Sequence, residues 1–422
     1  MAKNKIISSI DIGSSKTAVL IAQYREDDPG GKLNIVGAAS SRSRGVRKGQ
    51  IVNIEEAVSA ITEAVEAAER MAGYNVAKAW VSINGSHIGS QNSHGVVAVS
   101  RPQGEITIED SRRVLEAARA VSLPTSSEVI HVLPMQFTVD NQEGVKDPSG
   151  MTGVRLEVDT HMVTGSSPVI RNLTKCVSEI GCDVSGLVFS GYASSESVLS
   201  DTERELGVVL VDIGGGTMSL AIFVEGALSY SSVLPVGAIN VTKDLAAGLR
   251  ISLESAETLK IFMSKDKTKE DDIDVSKLNL PEELKTVSKK TIVEGIIRPR
   301  LNEMFQLIAG EIKKSNFGGL TPSGLVITGG GAQTVGMVDS AKRILGMPVR
   351  VGSPNGITGL IDEIENPAYA CSVGLIKHAK NIIEESETPS SGGLLSSLPK
   401  MDKIPVKGVF GKVVNMIKSL LP

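Results

Sequence analysis

Aspartates that open glycine-rich turns are the residues here whose type and spacing could do chemistry. Asp11-Ile12-Gly13-Ser14-Ser15-Lys16 has a counterpart far downstream at Asp212-Ile213-Gly214-Gly215-Gly216-Thr217. Each lies between two apolar runs, which predicts strand, tight turn, strand. Backbone N–H groups at such a turn point into a concavity that stabilises an anion, and the missing side chains let a phosphate approach closely. Two turns facing each other would hold a polyphosphate, with Lys16 and the hydroxyls of Ser14, Ser15 and Thr217 as further donors. Asp11 and Asp212 cannot face phosphate favourably unaided, so they imply Mg²⁺ between them and it, through water. A third turn, Thr328-Gly329-Gly330-Gly331-Ala332, follows a short apolar strand and suits close approach to a nucleoside.

The elements around these turns alternate. Helical spacing runs from Glu55 to Met71 and from Ile106 to Ala120, the latter opened by Thr107 with Asp110 three residues on as a cap. Val129–Val139 and Gly153–Val163 read as strands, Leu325–Thr328 as a short buried strand, and Ile292–Lys313 as a long helix interrupted at Pro299. Strands alternating with helices predict an α/β fold, and two related turn motifs predict two related lobes. The charged run from Lys265 to Asp274 reads as a solvated loop or helix end.

Composition narrows the function. The chain has 422 residues and a net charge of −4, with 3% aromatics, so neither a basic field nor a stacking platform for nucleic acid is present. Three scattered cysteines (Cys176, Cys182, Cys371) and an N-terminus without an apolar core predict a reducing, cytoplasmic setting. No apolar stretch reaches the roughly 18–20 residues of a membrane span. The five histidines (87, 94, 131, 161, 378) lack metal-ligand spacing and read as structural.

After Ile383 the chemistry changes. Residues 384–403 read as a flexible linker, acidic at first and rich in Ser, Gly and Pro. Residues 404–421 then place Val406, Val409, Phe410, Val413, Ile417, Leu420 and Leu421 on one helical face, with Lys407, Lys412 and Lys418 on the other side and flanks. A basic amphipathic helix of this kind lies in an anionic membrane interface. The other reading is a terminal helix docked on the core. The linker and the lysine excess favour the membrane.

The three turns resemble the phosphate-1, phosphate-2 and adenosine motifs of the actin/Hsp70/sugar-kinase superfamily. The segments Ile130 to Asp140, Asp147 to Met151, Arg155 to Val158 and Phe189 to Ser195, with Glu203 to Gly207, are similar to the FtsA family of bacterial division proteins. The resemblance implies an actin-like, two-lobed fold of subdomains 1A, 1C, 2A and 2B with a C-terminal amphipathic helix. It implies subdomain 1A at 1–83, 164–205 and 355–383, the 1C insert at 84–163, 2A at 206–240 and 325–354, and 2B at 241–324. ATP or ADP with Mg²⁺ would bind Gly13, Ser14, Ser15, Lys16, Gly214, Gly215, Gly216, Thr217, Gly329, Gly330, Gly331 and Gln333. Glu257 and Lys260, in Ser255 to Lys260, would clamp the ribose and adenine. Implied partners are the C-terminal tail of FtsZ on 2B, with Arg298 and Arg300 as contacts, further copies of the chain in filaments, and later division proteins such as FtsN on 1C. The implied location is the cytoplasmic face of the inner membrane at the septum. Where MreB-like ATPases place a Glu before a Pro, this sequence has Ser190-Gly191; a serine cannot take a water's proton at neutral pH. At most weak ATPase activity is expected. A small-molecule kinase on the same clamp is the alternative, but no segment stands out as its acceptor base. An Hsp70-type chaperone would need a peptide-binding domain after residue 383, for which the remaining length is short.

Overall fold

In the computed structural model the described residues are 4–25, 33–100, 104–266, 268, 270–282, 284–360 and 364–387. The membrane-face residues expected at 406–421, and most of the linker before them, lie outside these. Among the described residues no helix is long and apolar enough to cross a membrane.

The first lobe begins as an antiparallel meander, β1 (Asn4–Ile12), β2 (Lys16–Arg25) and β3 (Leu33–Arg42). A two-residue hairpin, β4 (Val46–Arg47) and β5 (Gln50–Ile51), leads into helix α1 (Ile54–Ala72). That helix buries Ala57, Ala60, Ile61, Ala64, Val65 and Ala68, and is capped at its start by Asn53, whose side chain accepts from the Glu56 N–H. Strand β6 (Lys78–Ile83) then pairs parallel to β1.

A separate sheet follows. It comprises β7 (Gly89–Ala98), helix α2 (Ile108–Arg119), β8 (Ser127–Val139), β9 (Gln142–Val145) and β10 (Arg155–Ser166), in strand order β7-β10-β8-β9. The Thr107–Asp110 capping box opens α2 as its spacing suggests, and Val114, Leu115 and Ala118 pack against Phe137, Val139, Leu156 and Val158. The chain re-enters the first lobe through α3 (Ser167–Glu179), β11 (Asp183–Phe189) and α4 (Ser190–Val198).

The second lobe repeats the plan of the first. After the short α5 (Asp201–Leu206), strands β12 (Val208–Ile213), β13 (Met218–Val224) and β14 (Ala227–Leu234) form a second antiparallel meander. Helices α6 (Ile239–Leu249) and α7 (Leu253–Lys265) and a small sheet of β15 (Asp272–Asp274) and β16 (Thr286–Ser288) follow. Next come α8 (Arg298–Ser315), β17 (Leu325–Thr328), α9 (Met337–Leu345) and β18 (Val349–Val351). The sheet orders β3-β2-β1-β6-β11 and β14-β13-β12-β17-β18 are the same path, a meander and then two parallel strands. Finally β19 (Ile357–Gly359) returns to the edge of the first sheet beside β3, and α10 (Ala370–Glu387) closes the first lobe.

Two boundaries differ from the sequence reading. The helix α10 runs to Glu387, past residue 383, and Glu384 pairs with Lys380 at 3.4 Å, so the acidic start of the linker is still helical. Pro299 does not break its helix. Residues Thr291–Ile297 widen into a π-helical turn directly before α8, where the proline lies in the first turn, and the path continues through it. A proline inside a helix collides with the carbonyl four residues back, and a local π turn moves that carbonyl away.

Both crossings between lobes meet at α4 and α10. Small residues let the helices touch: a Cβ at Gly374 of α10 would stand 1.7 Å from the Ala193 carbonyl oxygen of α4. Gly310, exposed in α8, has nothing within 4 Å of such a Cβ. The same substitution therefore has opposite signs at the two sites. Gly374→Ala lowers unfolding free energy by about 3 kcal/mol, whereas Gly310→Ala raises it by up to about 1 kcal/mol, as urea unfolding of the two variants will report.

Candidate functional site

The two turns close in the same way. Gly13 N–H donates to the Lys16 carbonyl at 3.0 Å and Gly214 N–H to the Thr217 carbonyl at 2.9 Å, with Asp11 opposite Ala18 and Asp212 opposite Ser219 in register. Equivalent strand pairs in the two lobes thus present equivalent turns to one cleft. They meet at their tips. A Cβ at Gly215 would stand 2.6 Å from Ser15 Cβ, and one at Gly216 would stand 2.7 Å from Ser14 Oγ. Side chains on the first turn are matched by their absence on the second.

Each aspartate is anchored by one serine. Ser82, on the parallel neighbour β6, donates to Asp11 Oδ1 at 2.7 Å, and Ser194, on α4, donates to Asp212 Oδ2 at 2.6 Å. Burial raises the Asp212 pKa to about 6; the Ser194 hydroxyl opposes this, while the charge of Asp11 adds to it. Lys16 is also taken from water. Its ammonium donates to the Ala368 carbonyl at 2.8 Å and sits 3.5 Å from the Tyr369 ring centroid, and burial lowers its pKa to about 8 against the pull of Asp11 and Asp212. Beneath them, burial first and then the charges of Asp11 and Asp212 push the Cys371 thiol well above its usual range, which leaves it unreactive.

The third turn joins this cleft at its base. Gly329 has φ of +83°, and a Cβ there would fall 2.2 Å from Asp212 Oδ1. Gln333 and Asn366 pair amide to amide, at 2.7 and 3.2 Å, while Gly329 N–H donates to the Pro367 carbonyl at 3.1 Å. Residues 366–369 therefore strap the third turn to Lys16 of the first.

A scan against family models matches residues 85–164 to "SHS2 domain inserted in FTSA" and residues 209–374 to "Cell division protein FtsA". Curated relatives with the latter description are 41% identical in Pseudomonas aeruginosa (89% of each chain), 38% in Bacillus subtilis (90% of this chain, 84% of the relative) and 34% in Escherichia coli K12 (93% and 96%). This chain belongs to the FtsA family of cell division proteins. Solved structures carry the fold further afield. The PilM-PilN type IV pilus biogenesis complex matches with a TM-score of 0.62 at 15% identity, over 89% of this chain and 98% of that one. MreB5 of Spiroplasma citri bound to ADP gives 0.52 at 13%, over 90% and 98%. The α/β architecture is actin-like, and the sheet of β7 to β10 is the insert of the FtsA family.

The remaining expected residues of this FtsA-family chain fall in two groups. Glu257 and Lys260 lie one turn apart on α7, 2.7 Å between charges, with Lys260 buried and donating to Thr242 Oγ1 at 2.9 Å. The helix end reaches the third turn, because Ser264 Oγ accepts from the Val335 N–H at 3.2 Å. The two arginines stand elsewhere. Arg298 pairs with Glu294, and Arg300 grips Asp244 through two nitrogens while also touching Glu303. Both guanidinium groups are already engaged within the chain.

Ser82, Ser194, Asn84 and the strap at 366–369 have no mark in the sequence comparable to the glycine turns. Asn84 stands just ahead of the insert. Its amide donates to Thr217 Oγ1 at 2.9 Å and accepts from Ser219 at 3.1 Å, and Ser219 in turn bonds Ser190 at 3.0 Å.

The strained carboxylate has a measurable cost. A carboxyl whose folded pKa exceeds its unfolded value destabilises the fold when ionised, so this cost is full above pH 6 and gone below about pH 4. In magnesium-free buffer Asp212→Asn is therefore more stable than the parent at pH 7.5 by about 1–2 kcal/mol, and the difference closes by pH 4. Urea unfolding at pH 4, 5.5 and 7.5 checks it; equal stability throughout would show that the Asp212 charge costs nothing.

Proposed function

We propose that this chain is an ATP-binding, actin-like filament protein that ties the FtsZ ring to the cytoplasmic face of the inner membrane and helps recruit later division proteins. The observation that carries the nucleotide part is the pair of equivalent turns, one from each lobe, that bring Asp11 and Asp212 to one cleft beside Lys16. Donors from Gly13 to Lys16 and from Gly214 to Thr217 would take the phosphates, Gly329 to Gly331 with Gln333 the nucleoside, and Glu257 with Lys260 the ribose and adenine. The solved MreB5 chains bound to ADP and AMPPNP share the fold.

The donor set suits Mg²⁺. Both aspartates offer hard carboxylate oxygens, Asp212 is strained as an anion, and a hard divalent cation that keeps its water suits two carboxylates and a phosphate. Hydrolysis has less support. The Ser190 hydroxyl is buried and bonded to Ser219, so it is neither basic nor free to orient water. Nucleotide then acts mainly as a part of the fold that closes the lobes.

The FtsZ tail would dock on the second lobe near Arg298 and Arg300. Because Arg300 already grips Asp244, an acidic tail would exchange one carboxylate for another. The insert would carry contacts to later division proteins such as FtsN. Membrane attachment would rest on Val406, Val409, Phe410, Val413, Ile417, Leu420 and Leu421 with Lys407, Lys412 and Lys418. Partial burial of these apolar groups, at ~1.5–3 kcal/mol for each one fully buried, is offset by ordering the helix at ~1–2 kcal/mol per residue. A single tail therefore binds marginally, and linking tails in a filament multiplies the avidity.

Electron microscopy on an anionic lipid monolayer with ATP and Mg²⁺ tests the reading. The full chain should give filaments or small rings, and a chain ending at Glu385 should leave the monolayer bare. Equal lipid binding by both would make the tail a docked helix and favour a soluble kinase.

A further inference from the structure

We propose that Lys48 is the cation that meets the terminal phosphate of a bound nucleoside triphosphate, an inference that rests on the nucleotide reading above. Lys48 and Gly49 form the two-residue loop between β4 and β5, where Arg47 pairs with Gln50. Both loop residues have positive φ, +50° and +74°. Those angles are the two-residue hairpin turn in which Asn-Gly is the favoured pair, so lysine stands where its backbone is strained. The turn fixes where the lysine stem begins, at the tip of a hairpin that lies against both glycine turns.

The hairpin is pinned to both phosphate turns. Gly49 N–H donates to Ser14 Oγ at 2.8 Å, tying the loop to the first turn. A Cβ at Gly216 would stand 3.3 Å from Lys48 Cα, which sets the lysine backbone against the second. From the other side, a Cβ at Gly49 would lie 2.8 Å from Gly85 N, so the loop has little freedom to leave. The third turn, by contrast, abuts the second at Asp212 and Ile213. A nucleotide with its nucleoside on the third turn therefore runs its phosphates toward Gly216 and the hairpin.

Charge completes the case. Lys16, at the near end of the first turn, already donates to the Ala368 carbonyl and faces the Tyr369 ring. Lys48 is exposed, and among the described residues its ammonium has neither ion pair nor hydrogen bond. A triphosphate reaches one phosphate further than a diphosphate and brings additional negative charge. An unpaired ammonium on a flexible stem at the far end of the turns is the group that would register that difference.

Calorimetric titration of ATP and ADP with Mg²⁺ into the full chain, Lys48→Asn and Lys48→Arg tests the assignment. Asparagine suits the turn, so Lys48→Asn should keep or raise the melting temperature. It should weaken ATP roughly tenfold, the worth of one charge-assisted contact, and leave ADP within about twofold. Lys48→Arg should retain most of the preference for ATP. Equal losses for ATP and ADP, or none, in Lys48→Asn while the parent binds both would overturn the role of Lys48. A parent that binds neither nucleotide would instead overturn the nucleotide reading, and the proposal with it.

Discussion

Two carboxylates of like charge, one from each lobe, are brought to the same half-buried cleft, and much of the architecture serves to hold them there. Asp11 and Asp212 end equivalent strands of equivalent sheets, each fixed by a serine from a neighbouring element. Their mutual repulsion and burial oppose closure of the cleft. Opposing that are the packing of Val198 on α4 against Val208, Leu210 and Val326 of the second sheet, the strap at 366–369, and the tip contact of Ser14 and Ser15 with Gly215 and Gly216. A cation and a phosphate between the lobes would replace repulsion with attraction. A ligand of that kind would therefore change how strongly the lobes hold together.

The insert is tied to both lobes. His131 on β8 accepts the Phe189 N–H at 3.0 Å, directly ahead of α4, and its ring packs edge-on against Tyr192 and His378 of the two crossing helices. On the other side Ser90 donates to the Ser231 carbonyl at 2.6 Å and His161 meets Ser231 Oγ at 2.9 Å, both on β14 of the second lobe. Asn84, just before the insert, holds Thr217 of the second glycine turn. A change in the cleft therefore has covalent and hydrogen-bonded routes to the surface that carries the insert.

What could be read in the sequence was local. The glycine turns, the capping box at Thr107 and the strand Leu325–Thr328 declare themselves within a few residues, because turn angles, caps and apolar runs are short-range chemistry. The internal repeat was legible for the same reason, as two copies of one local pattern. The partners of the turns were not. Ser82 reaches Asp11, Asn84 reaches Thr217 and Lys16 reaches Ala368 across most of a lobe or most of the chain, and serine or asparagine in a strand has no periodic signature. Arg300 shows the converse. In sequence it is an arginine available on a helix, and only the fold reveals Asp244 opposite it. The π turn before Pro299 was hidden too, since sequence marks where a proline disturbs a helix but not how the helix yields.

The two turn motifs are unequal where they touch, and the inequality has a physical use. Were both turns Ser-Ser-Lys, their side chains would collide at the tips; were both Gly-Gly-Thr, no hydroxyl would reach the hairpin at Lys48. With serines on one side and glycines on the other, Ser14 can accept from Gly49 while Gly216 leaves space for it and for the Lys48 backbone. One copy supplies the functional groups and the other supplies the room. The two turns thus fit together at their tips because they differ, and neither could make this contact with a copy of itself.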